Sequence, residues 1–172
     1  MQVLAESHMK ATRYSQRAIQ AQPEYRAEVT RVAGDPRISY RGLTSLTSQT
    51  TLESVRAQVK ELADARSLLA ITDEIADSEI VLRDGEECLV CFHKDDFIVY
   101  SALGFDARTL GGGALTFRTY ESMFDLMWSR ALMTIDFERD VAGDPAKIAA
   151  TLERIDVAYE RILEARRLLS PG

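Results

Sequence analysis

Two histidines, two cysteines, four prolines and one tryptophan in 172 residues each exclude something. Two cysteines cannot build a disulfide framework, so a stapled secreted fold is out and a reducing, cytoplasmic compartment is the expectation. With only His8 and His93, no Ser/His/Asp triad can be assembled and no second Cys/His pair completes a zinc site. No apolar run approaches the ~18 residues of a membrane span. The opening stretch, Met1 to Gln22, mixes Glu6, Lys10, Arg13 and Arg17 among its apolar residues, unlike a secretory signal. A net charge of −6 disfavours direct nucleic-acid binding, which needs a concentrated basic patch.

What is present is ordinary for one soluble globular domain: 46% hydrophobic and 28% charged residues. Three parts are expected. Residues 1–36 read as a helical segment, rich in helix formers, broken near Pro23 and stopped by Gly34-Asp35-Pro36. Residues 37–136 alternate strand and helix, which implies an α/β domain with a mixed central sheet and packed helices. Its expected strands are Ile38 to Leu43, Ser67 to Thr72, Glu79 to Leu82, Glu86 to Phe92, Phe97 to Leu103 and Ala114 to Arg118. Between the first two, Thr50 and Glu53 form a capping box for a helix with the stripe Leu52, Val55, Val59 and Leu62. Asp84-Gly85 marks a hairpin, Gly111-Gly112-Gly113 a flexible turn, and Phe124, Met127, Trp128 and Ala131 one face of a helix. Residues 144–170 read as one long helix, opened by Asp144-Pro145. Its seam of Ile148, Leu152, Ile155, Tyr159 and Ile162 alternates spacings of four and three. Such a seam serves either the domain's own core or a homodimer contact.

The segment Asp77-Ser78-Glu79-Ile80-Val81-Leu82-Arg83-Asp84-Gly85 carries the most information. Together with Ile38 to Leu43, the helix at 51–65, Leu68 to Asp73, the run from Gly112 to Arg118 and Phe124 to Ala131, its order resembles one half of the phospholipase D-like fold. About 100 residues are covered. The likeness is greatest to degenerate versions used as effector domains in bacterial and archaeal transcription regulators, such as the TrmB type. Phosphodiesterases of that class carry His-x-Lys-x4-Asp in this setting. The resemblance places Asp77 at the histidine, Glu79 at the lysine and Asp84 at the aspartate. Two carboxylates can neither form the imidazole–phosphorus bond nor stabilise the charged intermediate, so the resemblance implies regulation by ligand binding without catalysis.

The remaining chemistry is sparse. His93-Lys94-Asp95 lacks the spacing of the phosphodiesterase motif. Cys88 and Cys91 stand three apart on a strand, on opposite faces, and cannot chelate one ion. The glycine triplet would have to precede a helix to cradle phosphate, and a strand is expected after it. Asp77, Glu79 and Asp84 form either an acidic strand face or a site for a hard cation. Arg41 and Arg118, expected on strands, either pair with those acids or meet an anionic ligand. The leading expectation is a cytoplasmic sensor domain that binds a small molecule or protein partner at Arg41, Asp77, Glu79, Asp84 and Arg118, forms a homodimer and uses no cofactor. The alternatives are a metal-dependent phosphodiesterase or nuclease built on the three acids, and a structural oligomer subunit.

Overall fold

Strand alternation splits the apolar residues into two layers: Leu69 and Ile71 pack on one side of a sheet, Ala70 on the other. The computed structural model describes residues 7–13, 23–73, 78–94, 98–108 and 112–169. Seven strands form one mixed sheet: β1 (Ser7–Arg13), β2 (Ile38–Ser45), β3 (Leu68–Thr72), β4 (Ser78–Arg83), β5 (Glu87–Lys94), β6 (Ile98–Asp106) and β7 (Met133–Asp136). The spatial order is β6-β5-β4-β1-β2-β3-β7. The three central strands β1, β2 and β3 are parallel. An antiparallel meander, β4 to β6, flanks them on one side, and the short antiparallel β7 on the other.

Parallel neighbours need crossovers, and α1 (Pro23–Gly34) and α2 (Gln49–Glu61) supply them. Together with α4 (Pro145–Leu169) they bury Tyr40, Leu69, Ile71 and Ile135 on one face. The other face is covered by α3 (Gly113–Ser129), whose Phe117 and Phe124 close over Leu43, Ile80, Leu82, Cys88 and Val90. The molecule is therefore α/β with a mixed sheet between helical layers. Among the described residues no helix is long and apolar enough to cross a membrane.

Several local expectations hold. The α2 stripe Leu52, Val55, Val59 and Leu62 is buried throughout. Asp84 and Gly85 adopt φ of 53° and 73°, the left-handed pair that a type I′ hairpin turn requires. Asp144 opens α4, its carboxylate accepting from the Ala146 amide at 2.8 Å.

Three expectations are corrected. At the N-terminus Ser7–Arg13 is a central strand, not helix, while the part of the expected helical segment after the break at Pro23 is helix, α1. Helix propensity there is overridden by pairing on both sides: β1 bonds β2 and β4, with Met9 against one core. The α2 cap lies two residues earlier than expected. Ser48 accepts from the Thr51 amide at 3.2 Å, and Thr51 Oγ1 accepts from the Ser48 amide at 2.9 Å. Residues 114–118 form the first turns of α3, not a strand. Gly112, with φ 111°, turns the chain, and a Cβ at Gly113 would collide with the Asp106 carbonyl, so glycine is required there.

The seam takes the first of its two expected readings, the domain's own core. Ile155, Tyr159 and Ile162 are buried in the chain's own core, with Ile148 and Leu152 packed at its margin. Arg56 grips both carboxylate oxygens of Asp156 at 2.9 and 3.0 Å, and Arg166, where the apolar pattern fails, donates to the Thr47 carbonyl at 2.6 Å. The apolar face of α4 is thus already spent on α2 and the sheet.

Candidate functional site

On the α3 side, register aligns one residue from each of six strands in a row: Cys88, Leu82, Lys10, Arg41, Leu68 and Asp136. Two cations stand side by side at its centre, on strands about 4.8 Å apart. Like charges so placed repel, and each is stabilised differently. Lys10 reaches up to α3, with Nζ 3.1 Å from Glu121 and 3.0 Å from Asp125. Arg41 instead lies against aromatic rings. Its guanidinium carbon is 4.2 Å from the Trp128 ring centre and 5.9 Å from that of Phe124. The two rings are themselves stacked, centroids 5.7 Å apart, one helical turn from each other.

This difference matters chemically. A salt bridge uses the charge and the N–H groups of a cation; stacking uses only the guanidinium face. Arg41 is half-buried, has no hydrogen bond or ion pair with the described residues, and its Nε is buried without a partner. An unsatisfied buried donor costs about 1–3 kcal/mol. The edge of the guanidinium, which fits a planar anion in two-point contact, is left unused.

The expected site residues that the structure describes do not converge. Asp84 is committed to structure: its carboxylate accepts the His8 amide at 2.6 Å while its own N–H donates to the His8 carbonyl at 2.9 Å, extending the β1–β4 ladder. Glu79 pairs with Cys91 near the other end of β4. Five residues of strand put Glu79 roughly 17 Å from Asp84, far beyond the shared 2.3–2.6 Å reach of one cation. Glu79 and Asp84 therefore do not share one cation; Asp77 and the Glu79 side chain lie outside what the structure describes. No cluster of three His, Cys, Asp or Glu side chains able to hold a metal occurs among the described residues. Arg118 sits on α3, exposed, about 15 Å along the helix from Trp128, so it shares no site with Arg41.

Cys88 is buried, and burial pushes its thiol up to about 11, which keeps it protonated and unreactive. His93 and Lys94 close β5; Asp95 lies outside the described residues. The glycine triplet does lead from a strand towards a helix, but among the described residues only Gly112 and Gly113 flank that N-terminus, and no side chain caps it.

Lys10, Glu121, Asp125 and Trp128 were not expected at a site. From the sequence, Lys10 falls in an expected helical segment and Trp128 on the apolar face of a helix. Comparison with protein-family models, curated proteins and solved structures gives no match for this chain, so the reading of the site rests on its geometry.

Proposed function

We propose that this domain is a non-catalytic regulatory module that binds a small anionic molecule at Arg41 and acts in transcriptional or signalling control in the cytoplasm. The observation that carries the reading is the half-buried guanidinium stacked on Trp128 with no carboxylate bonded to it among the described residues. The sequence supports it from another direction: the segment from Asp77 to Asp84 holds acids where a phospholipase D-type enzyme needs imidazole and ammonium. Regulation follows from the neighbourhood of Arg41. An anion on Arg41 removes the repulsion between it and Lys10, which strengthens the Lys10 clamp on Glu121 and Asp125 and so the seating of α3. The effect on a partner is bounded by the ligand's difference in affinity between the two placements of α3.

The test is a thermal-shift titration with acetate, benzoate and inorganic phosphate. A ligand at 100 times its dissociation constant adds about 2.7 kcal/mol, several degrees for a domain of this size. Arg41→Met, which keeps the stem on Trp128, abolishes the shift. Arg118→Met leaves it intact. A shift equal in wild type and Arg41→Met, or lost in Arg118→Met, refutes the assignment.

A further inference from the structure

The charge census around Arg41 narrows the ligand, and this step rests on the proposal that Arg41 is the site. Lys10 lies one strand away, Asp136 two strands away in the same row, and Glu121 and Asp125 belong to α3. Lys10 is held by two of those acids, so its charge is not available to an incoming anion. Of the two adjacent cations, Arg41 is therefore the one that no carboxylate engages among the described residues, and its guanidinium edge faces the ligand. A single negative charge is met by Arg41; among the described residues a second has only Lys10 beside it in the row, already held by Glu121 and Asp125. The walls beside the guanidinium are apolar: Trp128 and Phe124 stack beneath it, and the half-buried Met127 and Ala131 pack on the same core. We infer that the ligand is a monocarboxylate with an apolar or aromatic body. Its two oxygens meet the Arg41 edge and its body lies along the Trp128 side of α3, whereas a phosphate dianion is disfavoured.

A matched series isolates charge from shape: benzoate, phenyl phosphate and benzyl alcohol share a ring and differ in their head group. Trp128 is the chain's single tryptophan, so its emission reports on this site alone. At pH 8, where phenyl phosphate is doubly charged, the wild-type protein is expected to show a saturable emission change with benzoate. Phenyl phosphate should bind at least about tenfold more weakly, and benzyl alcohol should give no saturable change. Arg41→Lys keeps the charge but loses the fork, and should weaken benzoate by a similar factor. Phenyl phosphate binding as tightly as benzoate, still dependent on Arg41, overturns the monocarboxylate class and leaves the site standing. Benzyl alcohol binding as well as benzoate also overturns it. No saturable change with any anion, or benzoate binding unaltered in Arg41→Lys and Arg41→Met, sinks the site and the class together. Should the Arg41 variants not fold, the wild-type ranking of the three compounds decides the class alone.

Discussion

Replacing Ile155 by Ala tests where the C-terminal seam belongs. The side chain is fully buried, in a cluster with Tyr159, Ile162, Val55 and Val59. The substitution removes three carbon groups, worth about 0.8 kcal/mol each in transfer terms. A cavity contribution brings the expected loss to about 3–4 kcal/mol, within the usual range for large-to-small core changes. The better helix propensity of alanine returns only about 0.4 kcal/mol. For a domain whose whole stability is about 5–15 kcal/mol this is severe without abolishing the fold. Urea unfolding followed by Trp128 fluorescence should show the midpoint falling by about 1.5–2 M at a slope near 2 kcal/mol per molar, with the slope unchanged. Val157→Ala on the opposite, exposed side of α4 should move it by less than about 0.5 kcal/mol. Sedimentation of the folded Ile155→Ala protein should give the wild-type mass. A fall in mass with stability retained would mean that the seam joins two chains, and the packing argument would be wrong.

Three further outcomes follow from local geometry. Ser48→Ala should cost about 1 kcal/mol in thermal unfolding, whereas Thr50→Ala and Glu53→Ala should be near neutral; the reverse ranking would restore the cap to Thr50. Asp84→Ala removes the acceptor of the His8 amide and leaves a Cβ-bearing residue at positive φ without local bonding, for a loss of about 1–3 kcal/mol, while Asp84→Asn should lose less than half of that. Cys88 gives a pH signature. The unfolded thiol ionises near 8.5 and the folded one only at about 11, so the folded state keeps its proton longer. Stability should therefore decline between those values, by up to about 1.4 kcal/mol per pH unit, and in a Cys91→Ser background native Cys88 should resist alkylation at pH 8. Rapid alkylation of the folded protein would contradict its burial.

Periodicity carried most of the fold. The α2 stripe, the Asp84-Gly85 hairpin and α4 were legible because period and turn chemistry agreed locally. β1 was not. Ser7–Arg13 contains His8, Lys10 and Arg13 and only Met9 and Ala11 as alternating apolar residues, and Lys10 stands inside the α3 face only through its two carboxylate partners 111 and 115 residues away. The start of α3 failed for a related reason. Ala114 to Arg118 reads as β-rich in isolation, yet Phe117 continues the helical spacing of Phe124 back by seven residues. The same two errors hid the site. With β1 read as helix, Lys10 had no strand register beside Arg41, and Trp128 read as core filling when its ring also carries the guanidinium. The acids of 77 to 84 drew attention through their order in the chain, while strand geometry sets Glu79 and Asp84 at opposite ends of β4.

The central claim is that the edge of the Arg41 guanidinium is open to an anion. Nitrogen-15 spectra of the arginine side chains, recorded while benzoate is titrated into the wild-type protein and assigned with the Arg41→Met and Arg118→Met variants, address it most directly. The Arg41 resonances are expected to move saturably with one ligand per chain, with those of Arg118 unmoved. Arg41 signals that stay fixed while another arginine saturates would contradict the account.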